Sequence, residues 1–156
     1  MEFRIDSDQQ MQALGAQLAE ASGGQGRIYL DGDLGTGKTT LVRGLIRALG
    51  HDGSVKSPTF TLVEPYQVAE KNIYHFDLYR LSDPEELEYM GLRDYFVPDS
   101  LCLVEWPAKG SRLLPEPDLV LKLRHDGTSR DVSVSAGTAA GESMLKSLKP
   151  LKVDDL

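Results

Sequence analysis

The sequence predicts an α/β fold: one domain with a mainly parallel sheet core, antiparallel hairpin additions and helices on both faces. Three observations predict it. A short apolar run, Arg27-Ile28-Tyr29-Leu30, leads through a glycine-rich loop into a helical pattern, the strand, turn and helix order of a parallel unit. Leu101-Cys102-Leu103-Val104 is continuously apolar, as in a strand buried on both faces. Residues 59–64 and 72–79, and again 119–123 and 132–134, are strand-like segments joined by short connections, as in hairpins.

The elements follow in order. Ser7 or Asp8 can cap a first helix, with Met11, Leu14 and Leu18 at helical spacing and Gly23-Gly24 ending it. A strand over 27–31 and a helix over 38–49 come next, and Gly50 is a natural stop. Residues 51–58 read as a loop. Residues 59–64 are β-branched and aromatic, so a strand, and 72–79 form its hairpin partner. Ser82-Asp83-Pro84-Glu85 reads as a capping box with proline early in a helix that Gly91 ends. The apolar strand at 101–104 follows. Leu119, Leu121 and Leu123 alternate with other residues, as do Val132 and Val134, and Asp126-Gly127 lies between the two runs. Residues 142–148 suit a last helix. The expected organisation is one domain over 1–148 and a loose tail over 149–156.

A chain of 156 residues is long enough for one domain with a real core. Its 40% hydrophobic and 26% charged content is that of a soluble globular protein. No apolar run approaches the roughly 20 residues of a membrane span, and Met1-Glu2-Phe3-Arg4-Ile5-Asp6 carries no apolar signal segment. The expected location is therefore cytoplasmic, without membrane contact. The single cysteine, Cys102, allows no internal disulfide and reads as an inert core residue. A net charge of −7 with no cluster of Lys and Arg argues against a free-standing binder of DNA or RNA. If the chain serves RNA chemistry, another subunit holds the RNA.

Gly32-Asp33-Leu34-Gly35-Thr36-Gly37-Lys38-Thr39 reads G-x-x-x-x-G-K-T, the P-loop pattern that holds nucleoside triphosphate. The glycines let the backbone close around phosphate without a Cβ in the way. Backbone N–H groups and the helix N-terminus then face the negative charge. Lys38 is placed to reach the β- and γ-phosphates, and the Thr39 hydroxyl to ligate magnesium. A glycine turn that binds nothing is the bland alternative; the strand before and the helix after weigh against it.

Such a site also needs an acid for magnesium and a group to position the attacking water. Two strand-end acids qualify. Asp77 follows Ile73-Tyr74-His75-Phe76, and Glu105 follows four apolar residues, the Walker B pattern. A solvated strand end is the alternative for either. Trp106 suits a packing residue at a strand exit and an interface residue equally well. His75 reads first as a structural histidine, with contact to the site as the alternative. Tyr66, Tyr74, Phe76 and Tyr79 read as core rather than as a base-stacking platform.

These residues together resemble the TsaE (YjeE) family, small bacterial ATPases of tRNA threonylcarbamoyladenosine synthesis. Four blocks carry the resemblance: the loop run extended to Thr40; Val55-Lys56-Ser57-Pro58-Thr59-Phe60-Thr61-Leu62-Val63; His75-Phe76-Asp77-Leu78-Tyr79-Arg80-Leu81 with Pro84-Glu85-Glu86-Leu87; and Val104-Glu105-Trp106-Pro107. The first block is shared with many unrelated NTPases, whereas the H-x-D-x-Y-R and E-W blocks are far more specific. The resemblance implies a P-loop NTPase domain that binds ATP or ADP with magnesium and acts with two partners. These are TsaD, which transfers the threonylcarbamoyl group to a tRNA adenosine, and its companion TsaB, with tRNA met only through that complex. It implies that Asp33, Leu34, Gly35, Thr36, Gly37, Lys38, Thr39 and Thr40 hold the nucleotide. Thr39, Asp77 and Glu105 would serve magnesium, and Lys38, Asp77 and Glu105 catalysis, with Glu105 positioning water. Thr59 resembles a switch residue near the γ-phosphate, Trp106 an edge of the site, and Arg130 a residue approaching the nucleotide. One departure stands out: relatives often carry a threonine in the first helix near the nucleotide where this chain has Met11, which leaves the contact of the N-terminal segment with the base open.

A small-molecule kinase of P-loop type is the alternative reading, but no arginine-rich lid segment stands out. A regulatory GTPase would carry N-K-x-D and D-x-x-G motifs, and neither is present. A module that holds nucleotide without hydrolysis is disfavoured by Glu105.

Overall fold

The structure is a computed structural model that describes residues 1–152. Among the described residues, seven strands form one sheet: β1 (Glu2–Ile5), β2 (Gly26–Gly32), β3 (Val63–Val68), β4 (Lys71–Asp77), β5 (Ser100–Glu105), β6 (Leu119–Asp126) and β7 (Ser129–Ala136). The helices are α1 (Asp8–Ser22), α2 (Lys38–Ala48), α3 (Glu85–Tyr89) and α4 (Ala139–Ser147). The sheet order is β1-β7-β6-β2-β5-β4-β3. Strands β6, β2, β5 and β4 run parallel, while β3, β7 and β1 pair antiparallel at the two sides. This is the parallel core with antiparallel hairpin additions that the sequence predicts.

Alternation in the central strands divides the core. Ile28, Leu30 and Leu103 face α1 and α2, packing with Leu14, Leu18, Leu41 and Leu45. Tyr29, Cys102 and Val104 face the other way, toward Phe76, Leu87 and Leu92. Every residue of β5 is buried because both its faces are covered. Helices α1 and α2 touch at two glycines. A Cβ on Gly15 would stand 2.2 Å from Leu41 O, and one on Gly44 would stand 2.5 Å from Gln12 O. Only glycine permits that approach, which fixes α2 and the loop ahead of it against α1.

Helix ends follow local chemistry. Of the two candidate caps for α1, Ser7 is the cap, its side chain accepting from Gln10 N–H, and Gly23 closes the helix in a left-handed conformation. Before α3 the expected capping box of Ser82 and Glu85 does not form, and Pro84 is the N-cap without a side-chain capping bond. Asp83 Oδ1 accepts from Glu85 N–H at 3.0 Å, and Glu86 Oε2 accepts from Ser82 N–H at 3.4 Å. Thr138 caps α4, which therefore begins at Ala139, ahead of the expected start.

Two stretches differ from expectation. Residues 59–62 form a turn rather than the start of a strand. Leu62 N–H donates to Pro58 O at 2.9 Å, Leu62 takes φ of 67°, and Asp77 N–H then donates to Leu62 O at 3.0 Å. Pairing with β4 thus begins only at Val63, despite the β-branched composition upstream. The second is β1, an edge strand paired with β7 that the sequence reading omits. At the other end, Lys149 exchanges two hydrogen bonds of 2.9 Å with the Gln17 side chain, and residues 153–156 of the expected tail lie outside the described residues. Among the described residues, no helix is long and apolar enough to cross a membrane.

Candidate active site

The loop from Gly32 to Thr39 leaves the carboxyl end of β2 and enters α2 at Lys38. Gly37 stands at the N-cap of α2 with φ of 100° and makes no side-chain capping bond. A Cβ there would meet only the flexible end of Met11, Cε at 2.8 Å, so it is the positive φ that favours glycine. An uncapped helix start leaves backbone N–H groups for an anion. The loop carbonyls are held by side chains from outside the loop and from within it. Arg130 donates to Gly35 O through Nε at 3.3 Å and Nη2 at 3.1 Å. His125 Nε2 lies 3.1 Å from Leu34 O, and Thr36 Oγ1 donates to Asp33 O at 2.8 Å.

Lys38 curls back over this loop. Its ammonium donates to Gly32 O and, at 3.2 Å, to Asp33 O. It also sits 3.9 Å from the centre of the Trp106 ring. Burial holds its pKa below the ordinary lysine value, and the nearby Glu105 and Asp77 carboxylates oppose that shift. Trp106 is itself in a left-handed conformation with φ of 59°, uncommon for a bulky residue. That bend at the exit of β5 sets the indole beside Tyr79, ring centres 5.0 Å apart, and under the Lys38 ammonium.

The acids come from two adjacent parallel strands whose register pairs Asp77 with Glu105. Paired residues of parallel strands point to the same side, here toward α2. Thr39 Oγ1 donates to Glu105 Oε2 at 3.1 Å and lies 3.4 Å from Oε1. His75 Nε2 lies 2.6 Å from the same Oε2. Asp77 Oδ1 accepts from Tyr79 N–H at 3.0 Å, and Oδ2 from Thr59 Oγ1 at 3.4 Å. Thr59 Oγ1 is in turn 2.8 Å from Ser57 Oγ. Burial pushes the Asp77 carboxyl above its ordinary value; the Tyr79 N–H opposes this, while the Glu105 charge adds to it.

Lys38, Thr39, Thr59, Asp77, Glu105 and Trp106 line a single cavity of about 470 Å³ at the carboxyl ends of the parallel strands, a volume that suits a small-molecule ligand. Among the described residues no group of three or more His, Cys, Asp and Glu side chains could by itself hold a metal. A P-loop magnesium needs none, because the nucleotide phosphates supply part of its shell. The donor set on the protein side, a threonine hydroxyl bonded to a carboxylate at the strand end, is made of the hard oxygens that magnesium prefers.

The family model for the threonylcarbamoyl adenosine biosynthesis protein TsaE matches residues 5–132. The chain belongs to the TsaE family. It is 55% identical over 118 residues to the tRNA threonylcarbamoyladenosine biosynthesis protein TsaE of Haemophilus influenzae, covering 76% of this chain and 75% of that one. The TsaE protein of Bacillus subtilis is 35% identical over 138 residues, covering 87% and 85%. That of Synechocystis is 42% identical over 113 residues, covering 70% and 71%. The crystal structure of Bacillus subtilis YdiB superposes with a TM-score of 0.75 at 28% identity, covering 94% of this chain and 91% of that one.

Within this TsaE fold, the cavity gathers nearly every residue that the sequence singles out. Leu34, Gly35, Thr36, Gly37, Lys38, Thr39, Thr40, Thr59, Asp77, Glu105, Trp106 and Arg130 all line it. Asp33 does not; it contributes its carbonyl to the loop and keeps an exposed side chain. Arg130 touches the Gly35 carbonyl, so its place beside the cavity is tied to the loop backbone. Asp6, Ser7, Asp8, Met11 and Thr128 line the cavity too; of these the sequence reading sets only Met11 near the nucleotide, through the family resemblance. The only local signal there was the helix cap. The sequence reading misses His125, which nothing near it in the chain marks as a loop contact. His75, left open between structure and site, bonds directly to Glu105.

Proposed function

We propose that this TsaE-family chain binds and hydrolyses ATP with magnesium, and that its ATP cycle supports turnover of a TsaB–TsaD pair as that pair forms the threonylcarbamoyl group on tRNA adenosine. The observation that carries the ATPase reading is the bond between Thr39 Oγ1 and Glu105 Oε2. It joins the last residue of the phosphate loop to the strand-end acid inside one cavity, an arrangement that a bare glycine turn has no use for.

Each residue then has a task. The loop N–H groups and Lys38 hold phosphate oxygens, and the glycines leave room for them. Thr39 ligates magnesium, Glu105 supports that position and orients the attacking water, and Asp77 is the second acid beside it. Magnesium, when bound, offsets charge on the transferring phosphoryl group. Thr59, tied to Asp77 and carried on the turn at 59–62, is the switch residue that can follow the γ-phosphate. Trp106 closes the edge of the site over Lys38. The base lies toward the wall formed by Asp8, Met11 and Thr128, where the chain's Met11 supplies an apolar surface.

The partner-dependent part of the reading rests on family membership and on charge. A net charge of −7 suits a subunit that leaves tRNA to its partners. The cytoplasm, where that RNA chemistry takes place, is the proposed location, and 1–148 is the proposed functional domain. The test is ATP turnover by the purified chain with magnesium, alone and with TsaB, TsaD and tRNA. Slow turnover that rises with the pair, together with threonylcarbamoyl product over many cycles, is the expected result. No effect of the pair would overturn the partner assignment, and a phosphorylated small acceptor would favour the kinase alternative.

A further inference from the structure

His75 is fully buried on β4, and its Nδ1 is a buried polar atom with no hydrogen-bond partner among the described residues. Its Nε2 has one partner, Glu105 Oε2, at 2.6 Å. Leaving a buried polar atom unpaired costs stability, so such an atom needs a reason. An apolar side chain of similar size would fill the same space without that cost. Packing therefore does not account for histidine at this position.

The geometry around Glu105 does. A carboxylate only accepts hydrogen bonds, so Nε2 carries the hydrogen and donates it. In the neutral ring the unpaired Nδ1 is then a lone pair rather than an N–H, the less costly of the two orphans. Glu105 Oε2 receives two donors, His75 Nε2 at 2.6 Å and Thr39 Oγ1 at 3.1 Å. Those two bonds come from β4 and from α2, and they lock the carboxylate in one orientation. Oε1, only 3.4 Å from the Thr39 hydroxyl, keeps the weaker contact. His75 itself is absent from the cavity wall that Glu105 and Thr39 line.

We propose that His75 is a positioning residue for the magnesium–nucleotide site: it holds the Glu105 carboxylate against the Thr39 hydroxyl, so that both present their oxygens to a divalent cation. This rests on the reading of the cavity as a magnesium–nucleotide site, and it adds a residue that never touches the ligand.

The test uses two His75 variants of the full chain with one readout and Glu105→Ala with a second. His75→Leu fills the space without a donor, whereas His75→Gln keeps an N–H at similar reach. Trp106 fluorescence reads ATP binding as magnesium is titrated. Expected for His75→Leu is a folded chain whose ATP affinity in the absence of magnesium stays within about twofold of the wild type. The magnesium concentration for half-effect should rise about 10- to 100-fold, the usual consequence of losing a group that orients a metal ligand. His75→Gln should recover most of that loss. An unchanged magnesium requirement in folded His75→Leu, or equal loss in both variants, overturns the proposal.

Long-range nitrogen–proton NMR of the imidazole supplies the second readout, which needs neither turnover nor ligand. The wild-type ring is expected in the Nε2–H form and released from it in Glu105→Ala. An Nδ1–H ring, or one indifferent to Glu105, overturns the proposal even if His75→Leu fails to fold. If the wild type binds ATP and magnesium yet hydrolyses nothing with its partners, the proposed function fails while both readouts still decide the role of His75.

Discussion

The Lys38 ammonium lies 3.9 Å from the centre of the Trp106 ring, on the indole face, while donating to the carbonyls of Gly32 and Asp33. The lysine of the phosphate loop and the sole tryptophan of the chain are thus in direct contact. A cation over an indole face is an electrostatic attraction of about 0.5–2 kcal/mol, small enough for a phosphate to outcompete. Nucleotide that draws Lys38 away alters the surroundings of the indole. Adding ATP should therefore change Trp106 fluorescence. Lys38→Ala should weaken triphosphate binding on the order of 10- to 100-fold, from the roughly 1.5–3 kcal/mol of a charge-assisted hydrogen bond. Equal ATP affinity in the variant, measured by calorimetry, would remove Lys38 from the site.

Glu105 separates chemistry from binding. It contacts Thr39 and His75 and is almost fully buried, so removing it disturbs the acid side of the cavity and leaves the loop glycines in place. Glu105→Ala is expected to lower partner-stimulated ATP turnover by about 100- to 10,000-fold, with ADP affinity changed only a few-fold. Turnover near the wild-type rate would show that another group orients the water.

Asp77 should be held at a cost to stability. Burial raises its carboxyl pKa, so the folded chain favours the protonated acid more than the unfolded chain does. A raised folded value makes this contribution fully present below the unfolded pKa and lost as pH rises through the folded one. At neutral pH Asp77→Asn should therefore be more stable than the wild type to chemical denaturation. That advantage should shrink as pH falls toward the ordinary aspartate range near 4. A difference that stays constant from pH 7 to pH 4 would contradict the assignment.

Much of this site is legible in the chain because its chemistry is local. The loop run encodes its own backbone shape, and four apolar residues ending in Glu105 announce a buried strand whose tip faces the cavity. The rest was set by distant partners. Thr59 has the composition of a strand, but the Pro58–Leu62 turn and the bond from Asp77 N–H to Leu62 O place it beside Asp77 instead. The strand β1 has only four residues, and its alternation of exposed Glu2 and Arg4 with buried Phe3 and Ile5 is too short to stand out. His125 and Arg130 reach the loop across separations of 91 and 95 residues, so nothing local announces His125, and Arg130 enters only through the family resemblance.

Cys102 gives a check on the far side of the sheet. It is fully buried in β5, and burial pushes its thiol up to about 12. Thiolate is the reactive form, so the native chain at pH 8 should resist a disulfide-exchange reagent for as long as it stays folded. One equivalent should react once the chain is denatured, matching its single cysteine. Prompt reaction of the native protein would mean that the Tyr29 side of the sheet opens far more readily than its packing implies.

Arg130 distinguishes two ways a cation can serve a phosphate site. Its guanidinium donates twice to the Gly35 carbonyl from the β6–β7 hairpin, and it lines the cavity as well. If it acts through the loop, it keeps that carbonyl turned outward and the loop N–H groups available to phosphate. Arg130→Gln should then weaken ATP and ADP binding by the same factor, on the order of 3- to 10-fold for a hydrogen bond worth about 0.5–1.5 kcal/mol. If it instead contacts the γ-phosphate, the loss should fall on ATP and spare ADP. The two affinities, measured side by side in the wild type and the variant, give a ratio near one for the loop role. The hydrogen bonds to Gly35 predict that ratio, and a loss confined to ATP would assign Arg130 to the phosphate itself.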